Sequence, residues 1–231
     1  MKSKKNILYE ETGKIIYYEE DDDYFLIDYT DDVEINSKEK VKIKNIGSKF
    51  TITNSFFLDY LNAYNISTGY KKVVDNSILI NKHYRFPFYV KILNILDKRS
   101  AKIFNKQDGA ALQIPLMTFH YGNLIDNLIT ENHLISLELC LLEDIKIMKR
   151  ICSKVNAVIK SFFERRNTIL AEFNCYFGKD DERIFIVDDF TPLSLKILQG
   201  NTNGNSVNPY KIKTIEEFKN YSDFIQSLIS I

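Results

Sequence analysis

The stretch from Ile169 to Pro192 constrains the fold most, because it predicts a β-hairpin with two unlike faces. A charged turn at Lys179–Glu182 separates its two strands. In the first strand Glu172, Asn174 and Tyr176 fall on one side, and apolar side chains alternate with them on the other. A period of two in polarity is typical of a strand that packs one face on a core and leaves the other face open.

The second strand of this hairpin ends in two carboxylates, Asp188 and Asp189. If the turn centres near Asp180, Glu172 lies opposite Asp188 on the open face. Carboxylate oxygens are the ligands that a hard cation such as magnesium takes in proteins. The spacing therefore fits two alternatives: a magnesium site at the mouth of the hairpin, or an ordinary amphipathic hairpin with acidic ends.

Composition narrows the class of protein. The chain has 231 residues, of which 45% are hydrophobic and 27% charged, and these values suit a globular protein with a substantial core. Lys+Arg and Asp+Glu are equal at 31 each, so no net charge draws the chain to nucleic acid or to an anionic membrane. No apolar run approaches the roughly 18 residues of a membrane span. We therefore expect neither a nucleic-acid partner nor a membrane.

Cysteine usage and the N-terminus indicate the compartment. Cys140, Cys152 and Cys175 are odd in number and lack CxxC spacing, and the first two lie far apart along one predicted helix. This pattern fits a reducing environment. The apolar run Ile7–Tyr9 is too short for a signal peptide, and acidic residues follow it. We expect a cytoplasmic protein.

The N-terminal third predicts an antiparallel sheet. Short strand candidates at Asn6–Glu11, Lys14–Glu19 and Tyr24–Tyr29 are separated by turn residues. Strands at such short intervals pair most readily with their sequence neighbours, so this part of the chain is expected to form a small β-rich lobe.

Two helical segments follow. Apolar residues recur at helical spacing from Phe56, with Thr53 or Asn54 as the expected N-cap. A longer helix is predicted over Leu134–Arg166, either unbroken or divided near Glu138. Its apolar stripe, expected to face the core, consists of Leu141, Ile145, Met148, Cys152, Val155, Ile159 and Phe162.

The C-terminal part ends in another helix. The polar run Gln199–Pro209 predicts a loop, and Thr214–Ile229 predicts a helix whose capping box is Thr214 with Glu217. The order of elements favours an α+β fold. We expect a small β-rich lobe over residues 1–85 and a larger α/β lobe over residues 86–231.

Four short motifs occur in order along this pattern. Tyr9–Tyr17 is similar to a hairpin written YEGKAKIIY, and Asp126–His133 to a run written DPxxxxxH. Ala171–Gly178 is similar to VDFKLEFG, and Val187–Pro192 to ADEISP. These motifs, with a long helix between the second and the third, belong to the phosphoribosylaminoimidazole-succinocarboxamide synthase (SAICAR synthetase) family of purine biosynthesis. The chain resembles that family from the first motif to about Lys196.

The resemblance implies a two-lobed, ATP-grasp-like fold and a ligase that uses ATP and magnesium. Enzymes of this family join aspartate to the carboxylate of carboxyaminoimidazole ribonucleotide through an acyl phosphate. Lysines neutralise phosphate charge, carboxylates hold magnesium, and arginines fork onto phosphate and carboxylate groups. The implied partners are a nucleotide and a small-molecule substrate, and association into a homo-oligomer is left open.

Positions that match the family's motifs imply which residues of this chain form its site. The implied ATP-binding residues are Lys14, Glu172 and Asp188. The implied metal ligands are Asp188 and Glu172. The implied substrate-binding residues are Asn94, Asp126, His133 and Lys196. Three of these have alternatives, because Lys14 also suits an exposed strand lysine, His133 a helix cap and Asp126 the start of a turn.

Several positions depart from the family pattern. Leu93 replaces an arginine, Tyr89 and Tyr176 replace glutamates, Asn174 replaces a lysine, and Leu193 replaces an aspartate. Replacing arginine by leucine removes a bidentate cation and is not conservative. Two hypotheses follow: a divergent but active ligase, or a catalytically degenerate paralogue with a nucleotide-binding, regulatory or scaffold role.

Overall fold

The computed structural model describes residues 5–20, 22–35, 39–122, 127–181, 183–199 and 208–230. The described chain is an α+β structure with antiparallel sheets in two lobes, which confirms the predicted fold class. Asp126 and most of the predicted loop Gln199–Pro209 lie outside the described residues.

The N-terminal lobe is a sheet with one helix packed on it. Its elements are β1 (Asn6–Glu11), β2 (Lys14–Tyr18), β3 (Tyr24–Tyr29), β4 (Asp32–Ile35), β5 (Glu39–Lys42), α1 (Ile46–Ala63), β6 (Tyr70–Val74) and β7 (Ser77–Asn81). The sheet has the strand order β1-β2-β3-β7-β6, and β4 with β5 forms a separate hairpin. The three N-terminal strand predictions are confirmed.

Helix α1 begins before the point that the sequence predicts. Both of its expected caps, Thr53 and Asn54, are buried inside the helix, so that prediction is wrong. The helix begins at Ile46 because Asp31, from a distant loop, accepts hydrogen bonds of 3.1 Å from the backbone N–H groups of Asn45 and Gly47. A cap supplied from so far along the chain leaves no local signal.

The C-terminal lobe contains the larger sheet. Its elements are β8 (Tyr84–Ile95), α2 (Lys98–Ile103), β9 (Ala111–Tyr121), β10 (Leu128–Ile129), α3 (Glu131–Ser136), α4 (Leu142–Glu164), β11 (Thr168–Lys179), β12 (Ile184–Asp188), β13 (Lys196–Gln199) and α5 (Ile215–Ile229). The strand order is β10-β9-β8-β11-β12, and β13 also pairs with β11. Helix α4 packs against β8, β11 and β12 and so covers one face of this sheet.

The long helix is divided, as one of the two alternatives predicted. Glu138 has a φ of 55°, in the left-handed region, between α3 and α4. The predicted stripe of α4 is buried except at its first member, because Leu141 lies at the N-cap and is 63% exposed. Ile145 and the members that follow it form the core under the sheet.

The β11–β12 hairpin has the predicted faces but a different register. Glu172, Asn174 and Tyr176 are partly exposed, and the residues between them are buried, which confirms the alternation. Asp188 pairs with Tyr176 rather than with Glu172, so the predicted pairing of the two carboxylates is wrong. Irregularities beside Tyr176 and Glu172 shift the register of β11 against its neighbours.

Helix α5 has the predicted capping box, with Thr214 and Glu217 bonded to each other's backbone N–H groups. This helix packs against α1, so the end of the chain returns to the N-terminal lobe. The predicted division at residue 85 falls inside β8, the strand that leads from one lobe to the other. Within the described residues no helix is both long and apolar enough to cross a membrane.

Candidate functional site

A buried ion pair joins the two lobes. Lys14 starts β2, directly after the Thr12–Gly13 turn, and its Nζ contacts a carboxylate oxygen of Asp188 at the end of β12. The two residues are 6% and 1% exposed. Gly13 has a φ of 88°, and a Cβ there would lie 3.0 Å from the backbone oxygen of Asp32. The turn that positions Lys14 therefore favours glycine.

Two further donors complete the surroundings of Asp188. The Tyr29 hydroxyl, from β3, donates a hydrogen bond of 2.8 Å to Asp188 Oδ1, and Asn54 Nδ2, from α1, donates one of 3.2 Å to the same oxygen. Asn54 Oδ1 also accepts a 2.9 Å bond from the backbone N–H of Phe190. Both carboxylate oxygens of Asp188 are thus occupied by protein groups.

The ion pair controls the charge state of its neighbours. Burial acts to lower the pKa of Lys14, but the attraction of Asp188 and Glu11 outweighs it, and the pKa of Lys14 is raised above its ordinary value. Burial and the negative charge of Asp188 raise the pKa of Tyr29. The Lys14 amine therefore stays charged and the Tyr29 phenol stays neutral. In these forms both groups can donate hydrogen bonds to the buried carboxylate of Asp188.

Asp189 faces the space between the lobes. Its pKa is raised to about 7, first by burial and next by the repulsion of Asp188, although Lys14 opposes the rise. Its Oδ1 accepts a 3.1 Å bond from the backbone N–H of Thr191, and the Ser194 hydroxyl donates to its backbone oxygen. Asp189 is thus a carboxyl group that takes up and releases a proton near neutral pH.

A transverse row of side chains crosses the floor of the cleft. Tyr89 on β8 pairs with His120 on β9 and with Tyr176 on β11, and Tyr176 pairs with Asp188 on β12. The Tyr89 ring stacks on His120 with centroids 5.2 Å apart and lies 4.9 Å from the Tyr176 ring. Burial lowers the pKa of His120, so its ring favours the neutral form. The floor beside the ion pair is therefore aromatic and uncharged.

Two adjoining cavities lie above this floor. The larger, about 830 Å³, opens between the lobes and is lined by Glu10, Glu11, Thr12, Gly13, Thr30, Asp32, Glu34, Lys40, Asn174, Tyr176, Asp189, Leu193 and Ser194. The smaller, about 290 Å³, is lined by Tyr9, Glu11, Arg85, Phe86, Pro87, Phe88, Tyr89, Gly122 and Tyr176. Because Glu11 and Tyr176 line both, the two cavities adjoin.

The predicted magnesium ligands do not come together. Glu172 lies toward the start of β11, roughly 13 Å from the residue that pairs with Asp188, at about 3.3 Å per residue. The oxygens of Asp188 already accept from Lys14, Tyr29 and Asn54. Among the described residues no group of three or more His, Cys, Asp or Glu side chains is placed to hold a metal ion. Glu172 and Asp188 therefore do not form a shared magnesium site in this structure.

Glu172 instead belongs to a second polar cluster, on the same face of β11 as Asn174 and Tyr176. Lys91 Nζ lies 3.7 Å from Glu172 Oε1, and Lys196 pairs with Glu172 across β13 and β11. Burial lowers the pKa of Lys196, although Glu172 attracts its charge, and its Nζ donates a 3.0 Å bond to the backbone oxygen of Leu193. Two of the predicted site residues, Glu172 and Lys196, are therefore brought together here.

The remaining predicted substrate residues lie elsewhere. Asn94 is buried and exchanges hydrogen bonds of 2.8 and 3.0 Å with Asn156 of α4, on the side of the sheet away from the cleft. His133 caps α3, where its ring accepts a 3.0 Å bond from the backbone N–H of Thr130. Of the two roles considered for His133, the structure has the cap.

Comparison with known proteins decides the family. The sequence profile of SAICAR synthetase matches residues 7–211. The chain belongs to the SAICAR synthetase family. A phosphoribosylaminoimidazole-succinocarboxamide synthase from Caldanaerobacter subterraneus is 32% identical over 203 residues, which cover 86% of this chain and 86% of that protein. The predicted family is thereby confirmed.

Solved structures of SAICAR synthetases have the same fold. The synthase from Ehrlichia chaffeensis superposes with a TM-score of 0.86 at 22% identity, over 98% of this chain and 99% of that one. A SAICAR synthetase solved in complex with ADP superposes with a TM-score of 0.83 at 25% identity, over 95% and 97% of the two chains. The two-lobed fold expected of a SAICAR synthetase is confirmed.

Two residues of the SAICAR synthetase cleft were not predicted as site residues. Tyr29 ends a strand in an alternating pattern, which indicates only that its side chain faces inward. Asn54 was assigned to a helix cap because its helix was expected to begin later. No local pattern distinguishes these two from ordinary buried residues, since their role depends on an aspartate far along the chain.

Proposed function

We propose that this SAICAR synthetase family member keeps the interlobe cleft as a binding site for a nucleoside-containing ligand and does not ligate aspartate. The observation that carries this proposal is the state of Asp188, whose oxygens are taken up by Lys14, Tyr29 and Asn54. Magnesium would have to compete with these three donors for the oxygens of Asp188, and acyl phosphate formation from ATP depends on a cation that neutralises the phosphates.

The substituted positions support the same conclusion. Leu93 is buried opposite Glu172 and places an aliphatic chain where the family has an arginine. Asn174 and Tyr176 line the larger cavity without charge, and Leu193 lies at its edge. Together they remove cations and carboxylates from the surface that would face two anionic substrates, so the transition state of ligation loses its stabilising groups.

Ligand binding is supported by the cavities and by a relative. The aromatic floor and the adjoining spaces of about 830 and 290 Å³ suit a ligand that combines a planar ring with polar groups. A SAICAR synthetase with 25% identity to this chain was solved in complex with ADP. These observations support a ligand in the cleft between the two lobes of this chain.

The test is a ligation assay with a matched positive control. The purified chain and the purified Caldanaerobacter synthase receive carboxyaminoimidazole ribonucleotide, aspartate and MgATP under identical conditions. We expect product from the relative and none from this chain, and no growth of a purine-requiring strain that expresses it. Product formed by this chain at a rate within a hundredfold of the relative would overturn the proposal.

The second candidate function is ligation itself, and one observation favours it. Lys91 and Lys196 flank Glu172 on the open face of the sheet, where they can meet an anionic substrate despite the loss of an arginine at Leu93. If the chain ligates, Lys91→Met should remove that activity, whereas Lys71→Met, at an exposed position of β6, should leave it unchanged. Activity that survives Lys91→Met would exclude this role for the cluster.

A further inference from the structure

A third cavity lies on the face of the larger sheet that α4 covers, so the sheet separates it from the interlobe cleft. It measures about 740 Å³ and lies between α4 and β9, with Asn94 of β8 also in its lining. None of its lining residues lines either cavity of the cleft. We call this space the α4–β9 groove, and its volume falls within the roughly 300–1,000 Å³ of small-molecule sites.

The α4–β9 groove is basic at both ends. Lys149 and Arg150 line one end, and Lys160 lies about 15 Å further along the helix, at 1.5 Å per residue. No described Asp or Glu belongs to the lining. Lys149 Nζ lies 2.8 Å from Glu131 Oε1 and Lys160 Nζ lies 3.7 Å from Glu164 Oε1, but exposed pairs of this kind contribute little and leave both lysines open to another anion. Arg150 is exposed and has no ion-pair partner among the described residues.

Two buried amides lie near the Lys160 end of the groove. Asn94 and Asn156 belong to its lining, although they are only 5% and 6% exposed. Each Nδ2 donates to the Oδ1 of the other, at 2.8 and 3.0 Å. A side-chain amide nitrogen carries two N–H groups, so each keeps one N–H that no described residue accepts. A buried donor without an acceptor is unfavourable, and an oxygen atom of a ligand would satisfy it.

Hydrocarbon lines the groove between its basic ends. Pro115 and Met117 of β9 and Ala157 of α4 supply this apolar surface. Met117 pairs with the buried Ile92, so its side chain lies on the face of the sheet that packs against α4. Apolar surface gains free energy when the hydrocarbon part of a ligand covers it. The groove therefore combines two polar ends with an apolar middle.

We infer that the α4–β9 groove binds an elongated organic dianion, in which a hydrocarbon chain joins two carboxylates. One carboxylate accepts hydrogen bonds from the guanidinium of Arg150, whose planar fork matches a carboxylate. The other accepts the spare N–H groups of Asn94 and Asn156 and meets the charge of Lys160, one helical turn further on. The start of α4's contribution at Arg150 and the amide of Asn156 are about 9 Å apart along the helix axis, so the chain must be long enough to span the groove. This site does not depend on the proposed function, because the cleft lies on the other face of the sheet.

The experiment is a titration of the full, ¹⁵N-labelled chain with suberate, succinate and octanoate, followed by NMR. Suberate has two carboxylates on a long hydrocarbon chain, succinate has two on a short chain, and octanoate has one on a long chain. We expect suberate to bind at least about tenfold tighter than either, because it alone reaches both polar ends. The side-chain NH₂ resonances of Asn94 and Asn156 should shift with suberate. Equal affinity for succinate or octanoate, or unmoved amide resonances at about 20 mM suberate, would overturn the inference.

A variant tests the role of Arg150 itself. Arg150→Met removes the cation that has no ion-pair partner, so suberate binding should weaken at least about tenfold. The matched control is Lys154→Met, which removes a charge from an exposed position of the same helix outside the groove. The control should weaken binding less than about twofold, because water and salt screen a charge that does not touch the ligand. Equal weakening in the two variants would overturn the inference, since general attraction to a basic helix would then explain the binding.

Discussion

Replacing Lys14 by Met removes the countercharge of a carboxylate that water barely reaches. Lys14 is 6% exposed and Asp188 1% exposed. Removing one partner of a buried ion pair costs about 3–5 kcal/mol, because the other charge is left uncompensated. Tyr29 and Asn54 still donate to Asp188, so we place the loss in free energy of unfolding near the lower end, about 3 kcal/mol.

The assay is urea unfolding followed by far-ultraviolet circular dichroism, with linear extrapolation to water. A loss of that size lowers the Tm by about 6–12 °C in a chain of this length. The double variant Lys14→Met/Asp188→Asn removes both charges, so it should be less destabilised than the sum of the two single variants.

The control breaks an exposed pair instead. The side chains of Lys49 and Asp223 are 25% and 57% exposed, so Lys49→Met should cost less than about 1 kcal/mol. A loss below about 1 kcal/mol for Lys14→Met, or strictly additive losses in the double variant, would refute the view that Lys14 compensates a buried charge.

Three further variants test other parts of the structure. The folded-state pKa of Asp189, about 7, lies above its ordinary value of 3.8, so ionisation costs stability as the pH rises through this window. Asp189→Asn should therefore be more stable than the parent at pH 8, by at least about 1 kcal/mol, and no such gain should appear at pH 4; equal differences at both pH values in urea titrations would contradict this. Asn94→Ala leaves Asn156 buried without its partner and should lower the free energy of unfolding by about 1–3 kcal/mol. The double variant Asn94→Ala/Asn156→Ala should lose less than the sum of the two single variants. Additive losses would exclude the pairing. Ile145→Ala should lower the free energy of unfolding by about 2–5 kcal/mol, measured by thermal unfolding. Leu141→Ala, at the exposed first position of the stripe, should lower it by less than about 0.5 kcal/mol. Similar losses in the two variants would contradict the assigned burial.

Local patterns predicted the faces of the elements correctly. Polarity with a period of two along β11 follows directly from the alternation of side chains in a strand, and the stripe of α4 follows from helical geometry. Capping is equally local when the cap lies within the same turn, as it does for Thr214 and Glu217. These features depend on neighbours in the sequence, so the sequence alone predicts them.

Register and long-range partners depend on distant residues, and there prediction was incomplete. The pairing of Asp188 with Tyr176 follows from a turn that pairs Lys179 with Ile184 and from an irregularity beside Tyr176. The start of α1 depends on Asp31, which lies in another loop. The exact turn position and the irregularity shift the register of the hairpin, and the Asp31 contact joins segments that no window of neighbouring residues contains.

The two faces of β11 contribute separately to the fold and to the cleft. Phe173, Cys175 and Phe177 are fully buried against α4 and the core, and their packing stabilises the sheet. Asn174 and Tyr176, on the other face, contribute to the cleft and little to that core. Substitution on the open face therefore changes the charge and shape of the cleft while the fold stays the same. Similarity to SAICAR synthetases consequently fixes the scaffold, and the open-face side chains decide which ligand the scaffold accepts.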